Sequence, residues 1–294
     1  MKNKPILLCL LPLLTVFACR EEIVIDLEEG DPLIGVEASF TDELKSHEII
    51  LSYTADFYNS SDIRMISDAK VTITDGVDSI AFLEDPEMPG HYRSDVVAGR
   101  KNTLYRLLVD VPDVTEEDGY QHLYAESYMK DNVEVVDSVV MKPYQTTTPF
   151  WMTDTIICLY PYFQSLPDMS IVYMIHIWKN DTLLSDTLNK VLSIPMAGYA
   201  GYYVNAGEFL DHNMEIPIAF FNQKKLREGD RIKADLLSIP PDYMMYLLNL
   251  NISLGSNPMM GSPTNIITNI LPEGKGVGWF YAASVASAET EWHK

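Results

Sequence analysis

The sequence predicts a mainly β chain: an N-terminal immunoglobulin-like antiparallel sandwich, followed by a second β-rich domain with one short helix. Three observations carry this reading. Short segments alternate apolar and polar residues with the two-residue period of half-buried strands. Turn signals, among them Asp75-Gly76 and Pro89-Gly90, punctuate those segments. No stretch before residue 130 has the 3.6-residue period of a helix. An apolar fraction of 47% and a charged fraction of 21% fit a folded globular chain and argue against wholesale disorder.

The first strands follow directly from the alternation. Ile34, Val36, Ala38 and Phe40 share one face of Leu33 to Phe40, and Ile49, Leu51 and Tyr53 share one face of His47 to Thr54. Residues 56 to 68 read as a polar loop. Ala69 to Thr74 is the next strand, closed by Asp75-Gly76, where glycine tolerates the positive φ of a tight turn. Ser79 to Leu83 follows, Pro89-Gly90-His91-Tyr92 reads as a turn into a further strand, and Leu104 to Val109 and Tyr120 to Met129 complete the set. About seven short strands with turns between them are the pattern of an immunoglobulin-like sandwich.

The second half differs in texture. Val133 to Met141 is apolar and β-branched, and Pro143 to Phe150 is a Thr- and Pro-rich connector. Ser170 to Trp178 is the strongest strand, apolar on both sides, as in a strand covered on both faces. Lys179-Asn180-Asp181 turns it into Thr182 to Thr187, and Glu228-Gly229-Asp230 turns into a strand over Arg231 to Ser238. Pro240-Pro241-Asp242 starts a helix: proline fits the first turn, and the acid complements the positive end of the dipole. Tyr243, Tyr246, Leu247 and Leu250 then fall at helical spacing. Gly274, Gly276 and Gly278 read as a flexible entry to a closing strand over Trp279 to Val285. The domain reading is 1–18 leader, 19–32 tether, 33–132 sandwich and 133–294 second domain.

The leader fixes the expected address. Lys2 and Lys4 precede an apolar run from Pro5 to Phe17, interrupted by Pro12, and Ala18 stands directly before Cys19. The run is shorter than the roughly 20 residues a membrane-crossing helix needs, and it matches the apolar core of a secretory signal. A small residue before cysteine is the pattern of lipoprotein processing, so Cys19 is the expected lipidation site. Membrane lipid is the first expected partner, through the acylated cysteine. Plain secretory cleavage after Ala18 is the alternative. Arg20-Glu21-Glu22 after the cysteine resembles the surface-export signal of Bacteroidetes lipoproteins.

Charge and cysteine usage narrow the function classes. The net charge is −21, which repels nucleic acid and anionic lipid surfaces and disfavours phosphate binding. Of three cysteines, Cys9 lies in the leader, Cys19 is the lipid site and Cys158 sits in the apolar run Thr155 to Tyr160, so it reads as a small buried hydrophobe. None of the six histidines has metal-ligand spacing with another His or Cys, and His176, on an apolar strand, reads as a satisfied core residue. No nucleophile elbow, zinc helix or phosphate loop is present, and the Gly274, Gly276, Gly278 run lacks the strand and helix of a dinucleotide site. The acidic stretch Asp110 to Asp118 lacks the spacing of a calcium loop and reads as solvated. No catalytic residue, metal ligand or cofactor is therefore assigned, and no enzyme is expected. Tyr199, Tyr202 and Tyr203 among glycines, and Phe150-Trp151, are aromatics of the kind that binding surfaces use, or else cover the second core.

The order of these segments also carries a resemblance. Cys19 to Leu27, Ser67 to Asp75, Pro89 to Tyr92, Val136-Asp137-Ser138-Val139, Gly229-Asp230, Tyr243 to Leu250, Asn257-Pro258, Asn269-Ile270 and Gly278-Trp279-Phe280 resemble, in order and spacing, the Bacteroidetes lipoprotein family known as domain of unknown function DUF4249. The resemblance implies a lipoprotein of the outer membrane, facing the surface or the periplasm and encoded beside TonB-dependent transporters. It carries no chemistry to transfer. The expected function is a binding or accessory protein beside such a transporter; a structural or adhesive surface protein, with the sandwich as its stalk, is the alternative.

Overall fold

The computed structural model describes residues 32–54, 63–131, 136–143, 155–163, 172–184, 204–205, 217–255 and 266–294. Residues 1–31 lie outside these, and with them Cys19, Arg20, Glu21 and Glu22; so do Tyr199, Tyr202, Tyr203, Phe150 and Trp151. The described chain is mainly β. Seven strands make the first half: β1 (Ile34–Thr41), β2 (Lys45–Tyr53), β3 (Lys70–Thr74), β4 (Ser79–Asp85), β5 (Met88–Val97), β6 (Thr103–Pro112) and β7 (Tyr120–Met129). Their order is β1-β2-β5-β4-β3-β6-β7, all antiparallel. Four strands and then three, in this order, give the topology of a constant-type immunoglobulin domain.

Alternation places the core as the sequence requires. Ile34, Val36 and Phe40 of β1, Ile49 and Leu51 of β2, Val71 and Ile73 of β3, Leu107 and Val109 of β6, and Leu123 of β7 are buried together. Two tyrosines fix the ends of this core. The buried Tyr92 hydroxyl donates to the Ile66 carbonyl (2.8 Å) and accepts from the Ala69 N–H (3.0 Å). Tyr105, near the start of β6, accepts the Arg100 N–H at 2.6 Å, which is the tyrosine corner of immunoglobulin-like domains. At the turn into β4, Asp75 accepts the N–H groups of Val77 and Asp78 while Gly76 takes a φ of 88°. Pro89-Gly90 is not a turn: both residues lie inside β5, and the reversal is made by the residues between β4 and β5. Gly90 has a φ of 78°, and a Cβ there would come within 2.7 Å of the Leu51 carbonyl oxygen, so it marks a close approach of β5 to β2.

The second half has β8 (Val136–Pro143), β9 (Ile156–Phe163), β10 (Val172–Lys179), β11 (Thr182–Leu183), β12 (Val204–Asn205), β13 (Ala219–Asn222), β14 (Arg231–Ile239), the helix α1 (Pro241–Gly255) and β15 (Gly276–Glu291). Strands β13, β9 and β8 form a small separate sheet. Strands β10 and β14 join the large sheet through β15. Tyr173, Ile175 and Ile177 face the small sheet's Val139, Ile157 and Leu159, while Val172 and Met174 meet Leu247 of α1. Cover on both faces explains why β10 reads as continuously apolar.

Strand β15 unites the halves. Gly276 to Ala283 pair in parallel with β1, and Ser284 to Glu291 pair antiparallel with β14. Its inward residues divide likewise: Phe280 and Ala282 complete the sandwich core, and Ala286 belongs to the second. The sandwich core also takes Ile270, so residues 33–132 alone leave it incomplete. The glycines at the entry are not slack. Gly278 has a φ of 107°, and a Cβ there would stand 2.0 Å from the Val36 carbonyl oxygen. Only glycine lets β15 lie against β1 at this point.

Candidate functional site

Inward residues of β1, β2 and β15 make the core, so their outward neighbours share the opposite face of the sheet. On that face Glu37 lies across from Trp279 on one side and Ile50 on the other, and Ser39 lies across from Tyr281. The same face continues to β10, where Met174 and His176 point outward from the second core. Helix α1 stands over it, because Tyr243, Tyr246, Leu247 and Leu250 recur at helical spacing and point back at the sheet. The result is a cleft of about 720 Å³ at the seam between the halves.

Four rings form one wall. Tyr243 stacks on Tyr281 with centroids 4.2 Å apart, and Tyr246 stacks on Trp279 at 5.2 Å. Tyr243 lies 6.2 Å from Trp279, so helix and strand rings form a continuous cluster. Burial pushes the Tyr281 hydroxyl up to about 12, against the hydrogen bonds it shares with Ser39 and Tyr243. Burial also raises Tyr246, and the Glu37 charge adds to it. Both phenols are neutral across the physiological range.

The other walls are polar. Lys45, at the rim, pairs with Glu43 at 2.5 Å. Glu48 is held by Arg93 (3.0 Å) and lies 3.2 Å from His91 Nδ1. Glu37 has no cationic partner among the described residues, and its cross-strand neighbours, Trp279 and Ile50, are apolar. His176 is the correction to the sequence reading: it faces the cleft and has no hydrogen-bond partner among the described residues. Burial lowers its pKa, so the imidazole is neutral at pH 7. Across the strand from it, Asp235 is buried, accepting Trp178 Nε1 at 2.6 Å, Ser287 Oγ at 2.5 Å and Lys233 at 3.0 Å. That carboxylate is fully engaged and holds Trp178 in place.

The remaining candidates stand apart from this cleft. Cys158 is fully buried, and burial lifts its thiol to about 11, as expected of a packing residue. His122 lies on the outer sandwich face with Asp110 and Asp118 each at 2.7 Å, an exposed cluster that raises the histidine's pKa. Among the described residues no three His, Cys, Asp or Glu side chains are placed to hold a metal ion. The cleft supplies apolar ring faces, one uncompensated carboxylate and hydrogen-bonding edges, which together suit binding. Its members were visible in the sequence only as a helix face and a closing strand. The useful signal was the pair of aromatic clusters, Tyr243 with Tyr246 and Trp279 with Tyr281.

A family model described as a domain of unknown function, DUF4249, matches residues 20–289, most of the chain. No curated protein matches the chain.

Proposed function

The chain belongs to the DUF4249 family, and from that premise we propose that it is a lipid-anchored binding protein of the outer membrane that works beside a TonB-dependent transporter. The observation that carries the binding role is the aromatic cleft between α1 and the sheet. Its volume, about 720 Å³, falls within the roughly 300–1,000 Å³ of pockets that enclose small ligands. The anchor rests on the leader and on Cys19, with Arg20, Glu21 and Glu22 directing the body to the cell surface. Two or more acyl chains on one cysteine hold a protein at a bilayer where a single chain does not, because each buried methylene contributes about 0.8 kcal/mol. The transporter as partner follows from the family resemblance. Such a protein captures cargo at the membrane and delivers it to the barrel's mouth.

Two measurements test this. Alkyne-palmitate should label the wild-type chain and not Cys19→Ala, and the variant should leave the membrane fraction. The tagged wild type, purified from detergent-solubilised outer membranes, should bring a β-barrel transporter with it. An unlabelled wild-type cysteine would overturn the anchor, and purification with no barrel protein would overturn the partner.

A further inference from the structure

We propose that the cleft selects a small organic cation, an alkylated or primary amine carried on a compact apolar body, with Glu37 as its counter-ion and the Tyr246–Trp279 pair as its aromatic wall. The inference rests on the reading of the cleft as a binding site and adds the chemistry of its ligand.

The argument begins with what is already neutralised. Lys45 is matched by Glu43, and Glu48 by Arg93. His176 is kept uncharged by its burial. Of the ionic groups lining the cleft, Glu37 is left as the uncompensated charge among the described residues. It stands between Trp279 and Ile50 in the strand register, where side-chain surface on both sides is apolar. Glu37 itself is exposed at the mouth of the cleft, where an incoming cation reaches it directly, and the water that the ligand displaces there strengthens their attraction.

The rings act in the same direction. Tyrosine and tryptophan faces carry negative potential and attract ammonium groups, most strongly when water is displaced. Tyr246 and Trp279 stack 5.2 Å apart beside Glu37, and Glu37 already perturbs the Tyr246 hydroxyl. Ring quadrupole and carboxylate therefore converge on one region. Leu247, Leu250 and Met174 provide apolar cover for the body of a ligand, and the neutral His176 offers a hydrogen bond. The long-range field agrees: at −21 the chain concentrates cations and repels anions.

A pair of near-isosteres isolates the charge. The full mature chain in detergent is titrated calorimetrically with choline and with 3,3-dimethylbutan-1-ol, its uncharged counterpart, and with maltose as a sugar probe. Choline is expected to bind saturably and at least about tenfold more tightly than the alcohol. Glu37→Gln should lose about tenfold in choline affinity with an unchanged unfolding midpoint, and Tyr246→Ala should lose a comparable factor. Glu126→Gln, on the outer sandwich face, should bind as wild type. Equal affinity for choline and the alcohol, full affinity in Glu37→Gln, or no saturable choline binding would each overturn the assignment. Maltose binding that depends on Tyr246 would also overturn it while leaving a binding protein in place. The co-purification experiment decides the transporter reading independently of all these outcomes.

Discussion

At the scale of single residues, hydrogen bonds at the sandwich ends and one depressed carboxylate make the sharpest claims. Tyr92 is buried and serves two backbone groups, whereas Tyr105 serves one. Tyr92→Phe should therefore cost about 2 kcal/mol and Tyr105→Phe about 1 kcal/mol in urea unfolding. Equal losses would contradict the two-against-one difference. Asp230 accepts the Arg227 N–H at 2.8 Å, Lys179 at 2.7 Å and Asn180 at 2.7 Å, and these contacts hold its pKa at about 2 against an ordinary 3.8. A folded-state pKa below the unfolded value means that the stabilisation is fully present above about pH 4 and is lost as pH falls toward 2. Asp230→Asn should lower the melting temperature at neutral pH, and its gap from wild type should narrow between pH 4 and pH 2. Cys158 belongs to the same scale: its buried thiol should resist maleimide in the folded chain and react once the chain is unfolded in urea.

At the scale of elements, β15 decides most. Gly278→Ala puts a methyl group into the Val36 carbonyl at a φ that disfavours any side chain, so a loss on the order of 3 kcal/mol is expected in denaturant unfolding. A near-neutral Gly278→Ala would mean that the strand is free to shift away from β1. This element also shows what a sequence makes legible. Strands β1, β2, β3 and β6 announce themselves because one face of each is buried and the other wet, and a period of two survives in the letters. Strand β10, covered twice, announces itself by unbroken apolarity. Strand β9, by contrast, was visible only as an apolar setting for Cys158, because Ile156 to Phe163 shows no alternation. The parallel pairing of Ile34 with Gly276 was not legible at all, since register between distant segments leaves no local period. Glycines read as slack at the entry to β15 were required by a neighbour some 240 residues away, as the Gly278–Val36 approach shows.

At the scale of the whole molecule, the halves share one strand, and their cores should melt together. Differential scanning calorimetry of the full chain should give one transition whose calorimetric and van't Hoff enthalpies agree. Two resolved transitions would mean that β15 hands off between independently stable bodies. The cleft is a property of this scale too. Glu37, Trp279, Tyr246 and His176 come from β1, β15, α1 and β10. Each has an ordinary place in its own segment, and only the seam between the halves brings them to one wall. That is why the sequence pointed instead to loop aromatics as contact residues.

The parallel partnership of β1 with β15 also sets an order of events during synthesis. The first strand of the sandwich leaves the ribosome well before the neighbour it needs, which lies about 240 residues further along the chain. Until Gly276 to Ala283 have emerged, one flank of β1 stays unpaired, and the nascent body keeps an open edge of the kind that recruits stray strands. A message cut short before Gly276 would thus yield a chain with a sticky flank, and a cell making this protein has reason to shield or discard such fragments before they meet one another.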